Sequence, residues 1–351
     1  MRKLLVLLSA VAFVVAFTVP VMAADWSFYG SARMTTFWDS DSEEASPTGF
    51  EDDDLAWALQ GNSRIGANVK AGDISGRFEY GTGVNLRILY GAWNFGAGTL
   101  LVGQTYGPVN LFQSNQVWGS DNDMLNFGGV YGGRTPMIQV AFGKFKFALL
   151  SPTAAAPPAI AALLPTDIDT SIPKLEASYG FNIGPVGLTV VGGYQTYDVV
   201  GPTDEGIDVA SYIVGLGFNI GFGPLYIKGD VYTGQNLGQY GLYQAGADDV
   251  GFSIADQDII DNDTTGWLLV VGFKVSDMFA VEAGYGSNSH ELDVSGSDSD
   301  DTSAYYLQAT INLAKGCFIT PEIGKIDYQD DAAGNEQGDT TYYGAKWQIN
   351  F

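Results

Sequence analysis

The 351-residue sequence carries 16 Lys and Arg against 40 Asp and Glu, a formal charge of -24, yet only 16% of its residues are charged while 13% are aromatic. Soluble domains carry about 25% charged residues, so the composition argues against an ordinary water-soluble domain. It suits a chain with one face in lipid and another in water. An acidic chain also lacks the basic patches that phosphate recognition needs, which excludes nucleic-acid binding, and the single Cys317 excludes an internal disulfide.

In chain order, Arg2 and Lys3 precede an apolar run from Leu4 to Val19, and Val21-Met22-Ala23 forms a small-residue cleavage site. This predicts a cleaved secretory signal peptide over residues 1–23 and one domain over 24–351. No later apolar run is long enough to cross a membrane as a helix. Beyond Ala23 the pattern is that of strands. WSFYGSARMTTFW sets Trp26, Phe28, Met34 and Trp38 against Ser27, Ser31, Arg33 and Thr35. Successive strand residues point to opposite faces, so each such segment has one apolar and one wet face.

The alternation continues near 55–70, 74–80, 84–95, 99–106, 131–142, 145–150, 174–182, 188–197 and 209–220. It goes on near 225–233, 266–274, 279–285, 304–313, 318–328 and 340–351. Sixteen strands are expected. Short turns such as Gly96-Ala97-Gly98 and Gly143-Lys144 alternate with longer loops such as 107–128, 151–172 and 234–263. Short turns on one rim and long loops on the other are the habit of transmembrane barrels, and this many strands enclose water. The predicted fold is all-β: a 16-stranded antiparallel transmembrane barrel.

The last strand ends on Tyr343, Ala345, Trp347, Ile349 and Phe351 of one parity, with Lys346 and Gln348 on the other. Phe351, Trp347 and Tyr343 form a candidate assembly signal. This strand should close on the one that begins at Trp26, because an open edge cannot persist in lipid.

Wet parity also holds Arg33, Arg64, Arg77 and Arg87, then Lys146, Lys174, Lys228 and Lys274. Glu79, Glu176, Asp230, Glu282 and Glu322 are the negative counterparts. Inward charges set a field that sorts permeating ions. Tyr226, Tyr232, Tyr306 and Tyr342 share this parity and offer an alternative, a stacking track for a specific solute. The acidic loops 39–54, 234–263 and 286–301 solvate the rim, concentrate cations at the mouth or bridge to anionic lipid through divalent ions. The apolar loop 153–165 packs on the mouth, meets a partner or forms a loose tip. His290, the only histidine, reads as a solvated loop residue. No nucleophile–base pairing, phosphate-cradling loop or metal-ligand spacing accompanies it, so neither catalysis nor a cofactor is expected.

Several stretches resemble the general diffusion porins of Gram-negative outer membranes: Phe28-Tyr29-Gly30, Ser63-Arg64-Ile65-Gly66, Leu86-Arg87-Ile88, Gly91-Ala92-Trp93, Tyr106-Gly107, Asp123-Met124-Leu125, Phe127-Gly128-Gly129, Gly133-Arg134 and the C-terminal Phe351. The resemblance implies periplasmic turns, extracellular loops and a third loop folded into the lumen. It implies an outer-membrane homotrimer that passes ions and small hydrophilic solutes passively. At its constriction Arg64, Arg87 and Arg134 would face Asp123, with Tyr106 opening the loop. Asn126 replaces one of the family's acidic positions, for which Asp121 would compensate. Arg134 shares parity with outward Ile138 and Val140, so a bulge near Gly132-Gly133 or Pro136 would have to aim it inward. The family's second loop reaches a neighbouring subunit, whereas Gly81-Thr82-Gly83 is too short for that. Weak selectivity is expected. A substrate-specific channel, or a structural or surface-binding barrel, are the alternatives.

Overall fold

The computed structural model describes residues 24–162, 166–201, 206–246, 249–254 and 258–351; the expected signal peptide lies outside them. Eighteen strand segments form one antiparallel sheet. Two couples of segments share a partner and each make one interrupted strand, giving the sixteen expected. These are β1 (Asp25–Asp41), β2 (Asp52–Leu59 and Arg64–Ala71), β3 (Ile74–Gly81), β4 (Leu86–Asn94), β5 (Thr99–Tyr106) and β6 (Arg134–Phe142). They continue as β7 (Phe145–Leu150), β8 (Asp167–Asp169 and Lys174–Ile183), β9 (Val186–Val200), β10 (Gly206–Phe222) and β11 (Leu225–Gln235). The last are β12 (Asn262–Lys274), β13 (Phe279–Leu292), β14 (Asp300–Ala314), β15 (Cys317–Asp327) and β16 (Asp339–Asn350).

Each strand pairs with its chain neighbours, and β1 pairs with β16 from Ser31↔Asn350 to Asp41↔Thr340, which closes the barrel. One further rung joins Gly30 and Phe351, with N···O distances of 2.7 and 3.0 Å. The Phe351 ring lies over Gly30, where a Cβ would collide with it.

The outward parity is apolar and exposed, as lipid requires. Toward the long-loop rim Trp38 stacks on Tyr343 with centroids 5.5 Å apart, and at mid-strand Trp267 stacks on Tyr285 at 5.3 Å. At the turn rim Phe95 contacts Trp93 at 5.7 Å and Phe142 at 6.0 Å. Gly143 and Gly184 adopt φ +59° and +57° in the tight β6–β7 and β8–β9 turns, a conformation L side chains avoid.

The strands run further toward the loop rim than their periodicity alone suggests. β13 extends to Leu292 where 279–285 was expected, so the loop expected over 286–301 contracts to 293–299. Its polar Ser287, Asn288 and Ser289 still pair with β12 and β14, because ladder hydrogen bonds there need no apolar side chain.

The apolar core lies inside the barrel, between the wall and the inserted loop 107–133. Val117, Met124 and Phe127 of that loop are buried against Phe37, Leu268, Tyr306 and Tyr342 of the wall. Val109, Leu111 and Val130 are buried against Val191, Ile213 and Tyr232. Six such side chains stabilise the inserted position by on the order of 10 kcal/mol, an upper estimate. Within the apolar loop expected over 153–165, the described residues 153–162 pack on the barrel mouth. Ile160 is buried with Tyr197, Val199 and Val209, and the Tyr197 hydroxyl donates to the Ala155 carbonyl at 2.8 Å.

Candidate functional site

The inserted loop leaves the wall after Tyr106 and returns at Arg134, and these two residues form the last rung of the β5–β6 ladder. A short pairing of Asn110–Leu111 with Val130–Tyr131 narrows its base. Wall carboxylates then hold the loop by its backbone. Glu176 accepts the Val109 N–H at 2.9 Å. Glu282 accepts Asn115 twice, from N at 2.9 Å and Nδ2 at 2.6 Å. Glu322 accepts Val117 and Trp118 N–H at 2.8 and 3.0 Å. Two carboxylate oxygens can take several donors at once, and charge-assisted bonds of this kind are among the stronger ones. Tyrosines complete the attachment. Tyr306 meets Ser114 at 2.7 Å, Gln116 donates to Tyr342 at 2.7 Å, and Trp118 stacks on Tyr342 at 4.8 Å.

At the loop tip Gly119, Ser120 and Asp121 take φ of +62°, +66° and +58°, followed by Asp123 and Met124 at +57°. Left-handed backbone at non-glycine residues costs about 1–3 kcal/mol each and persists only when the surroundings dictate it. Here they do: Asn62 Nδ2 donates to the Ser120 carbonyl at 2.6 Å, and Gln60 Nε2 to Asp121 at 3.0 Å. The consequence is an Asp121 carboxylate pressed against Arg33 of β1 and Lys346 of β16, the latter at 2.7 Å. Past the tip Gly128 runs so close to the Trp267 carbonyl that no Cβ fits there. That close approach explains the glycine of the Phe127-Gly128-Gly129 stretch.

Facing the loop is a cluster of guanidinium groups organised on one buried carboxylate. Glu79 lies 2.7 Å from Arg77, 2.9 Å from Arg87 and 3.6 Å from Arg64, and accepts the Tyr29 hydroxyl at 2.8 Å. Three cations around one anion leave a positive surplus. Arg134 stands beside them with no carboxylate among the described residues. It donates to the Tyr106 hydroxyl at 3.3 Å and lies over that ring at 5.4 Å. Loop and cluster enclose an open cavity of about 840 Å³ lined by five cationic side chains (Arg33, Arg64, Arg87, Arg134 and Lys346) and three carboxylates (Asp121, Asp123 and Glu282).

All six expected constriction residues, Arg64, Arg87, Arg134, Asp121, Asp123 and Tyr106, therefore come together at one cavity. Several details differ from expectation. Arg134 lines the cavity without a bulge inside β6, whose register with β5 is continuous from Thr99↔Ala141 to Tyr106↔Arg134. Gly133, at φ +78°, lies just outside the strand where the chain turns into the lumen. The ion pairs from loop to wall run through Asp121 rather than Asp123. Arg87 is mostly packed into the wall by Glu79, leaving Arg64 and Arg134 more open to the cavity. Arg33 lines the cavity, whereas Arg77 serves the Glu79 cluster. Lys146, on the inward parity of β7, is exposed and away from the cavity.

Other inward groups do different work from that expected. Glu176, Glu282 and Glu322 are buried loop anchors, Glu282 also bordering the cavity. The tyrosine track does not form: Tyr232, Tyr306 and Tyr342 are buried, each over a glycine of the neighbouring strand, and Tyr226 alone lines the cavity. His290 is not a solvated loop residue. It is 1% exposed within β13 and bonded to Thr264, Asn288 and the Ala245 carbonyl. Ala245 belongs to a second inserted segment, 236–246, whose Leu237, Tyr240 and Leu242 are buried against the inserted loop. Ala245 N–H also donates to the Asn126 carbonyl at 2.9 Å. Three apolar residues within an acidic loop were the available signal. Asp230 is 2% exposed, and neither of its oxygens has a hydrogen-bond partner among the described residues.

Comparison with known proteins gives the same architecture. The outer membrane channel DcaP of Acinetobacter baumannii is 16% identical, with a TM-score of 0.72 over 93% of this chain and 97% of that one. OmpT of Vibrio cholerae in its trimer form is 14% identical, with a TM-score of 0.59 over 94% and 100%. An anion-selective porin from Comamonas acidovorans is 13% identical, with a TM-score of 0.59 over 93% and 100%. No curated protein sequence matches. At such identities the structures establish the fold, while a family model described as Gram-negative porin matches residues 10–331. A closed sixteen-stranded barrel, an inserted loop and a sequence match across most of the chain agree: this protein belongs to the Gram-negative porin family of outer-membrane channels.

Proposed function

We propose that the protein is a passive diffusion channel for ions and small hydrophilic solutes, weakly selective, with its constriction between the inserted loop and the β2–β6 wall. The observation that carries this reading is the 840 Å³ cavity, where five cations outnumber three carboxylates although the chain as a whole carries -24. Coulomb forces act most strongly where the path is narrow and water is scarce, while charges at the mouth are screened beyond about 8 Å in saline. The local surplus therefore leans the pore toward anions, and the acidic loops offset it. The Comamonas acidovorans porin, which shares this fold, is anion-selective.

The proposed assembly is a homotrimer, supported by the trimer form of Vibrio cholerae OmpT. The β3–β4 connection spans only residues 82–85, too short for a second loop that reaches over a neighbouring subunit.

The test is single-channel conductance of purified protein in a planar bilayer, wild type against Arg87→Ala and Asp123→Ala. Stepwise openings are expected, with both variants conducting differently from wild type in anion-to-cation ratio and in opposite senses. No conductance from folded protein would indicate a structural barrel instead.

A further inference from the structure

Beside the guanidinium cluster the lumen contains a patch of aromatic rings that neither barrel closure nor loop anchoring uses. Phe112 lies 5.2 Å from Tyr106 and 6.1 Å from Tyr131, and Tyr131 lies 6.3 Å from Tyr243, all between ring centroids. The backbone alternation at the loop base buries Leu111 against the wall and turns Phe112 toward the cavity, where it is 45% exposed; Tyr243, from the second inserted segment, is 51% exposed. A phenyl ring held in a water-filled passage gives up the stabilisation that burial would supply, and exposed apolar clusters of this sort mark contact surfaces. Among the described residues, the adjoining cation is the one arginine of the cluster without a carboxylate. Arg64, Arg77 and Arg87 share Glu79, and Arg33 is paired with Asp121, whereas Arg134 has only the Tyr106 hydroxyl and ring.

From this juxtaposition we propose that the constriction holds a subsite for aromatic carboxylates: the Arg134 guanidinium takes the carboxylate and Phe112, Tyr131 and Tyr243 take the ring. A guanidinium fork matches a carboxylate in a bidentate geometry, and offset or edge contacts between rings add to simple burial. One free cation suits one negative charge. Tyr106 touches both halves of the site, which sets the carboxylate next to the ring as in benzoate. The proposal rests on the diffusion-channel reading and deepens it. Small inorganic anions pass, while an aryl carboxylate dwells in passing.

The test is concentration-dependent interruption of KCl current through single channels by benzoate, acetate and neutral benzyl alcohol. Wild type should be half-blocked by benzoate at a concentration about threefold or more below that for acetate, and not by benzyl alcohol. The benzoate-to-acetate ratio should collapse toward unity in Phe112→Ser and, as an independent variant, in Tyr243→Ser. Arg134→Gln should weaken block by both anions. Equal block by benzoate and acetate in wild type, or an unchanged ratio in both aromatic variants that conduct, would overturn the subsite and leave the channel reading standing. Absence of any conductance from folded wild type would overturn both.

Discussion

Replacing Glu282 and Glu322 together by alanine should release the inserted loop and raise single-channel conductance about twofold or more. These carboxylates accept four bonds from Asn115, Val117 and Trp118, at 2.6 to 3.0 Å. A charge-assisted bond contributes about 1.5–3 kcal/mol, less where water can take the donor's place. The lumen is wet, so each bond is worth the lower end of that range, but four together rival much of the apolar packing behind the loop. The double variant should therefore show larger and noisier openings, and protease cleavage between residues 113 and 123 in the folded protein. Glu322→Gln alone should do less, since an amide keeps one acceptor. Unchanged conductance and protease resistance in the double variant would mean that apolar packing alone holds the loop.

Removing Phe351 should impair assembly more than conduction. Its backbone makes two hydrogen bonds with Gly30 and adds the last rung to the β1–β16 seam, while its ring lies over the same glycine. Every backbone group facing lipid must be satisfied within the barrel. An unfinished seam therefore leaves Gly30 exposed during insertion, when no other contact guards that edge. Folded protein in the outer membrane, assayed by heat-modifiable migration, should fall severalfold for the deletion and less for Phe351→Ala, which keeps the rung. Channels that do assemble should conduct as wild type. Normal membrane levels of the deletion variant would remove Phe351 from the assembly signal.

Much of the barrel was legible because a strand's two-residue period leaves little freedom. Trp38 and Tyr343 had to face lipid if Arg33 and Lys346 faced water, and the β1–β16 register shows all four so placed. Parity could not say what an inward residue meets. Glu322 and Lys346 read alike as lumen charges, yet one anchors loop backbone and the other pairs with Asp121. Parity also assigned Arg134 outward, because the rule fails where a strand ends and its chain turns inside. Asp121 could not be singled out from Asp123, since the difference lies in a left-handed tip that only its surroundings stabilise. The 236–246 segment was obscured for a related reason. Two loops that bury each other leave no periodic pattern in either one.

The proposed control of passage is a local positive surplus at the inserted loop of an otherwise acidic protein. The reversal potential of wild-type channels across a KCl gradient reads this most directly. A small potential of the sign for chloride preference is predicted, shifting toward cations in Arg134→Gln. A steep cation-selective potential in wild type would contradict the account, placing control in the acidic loops at the mouth.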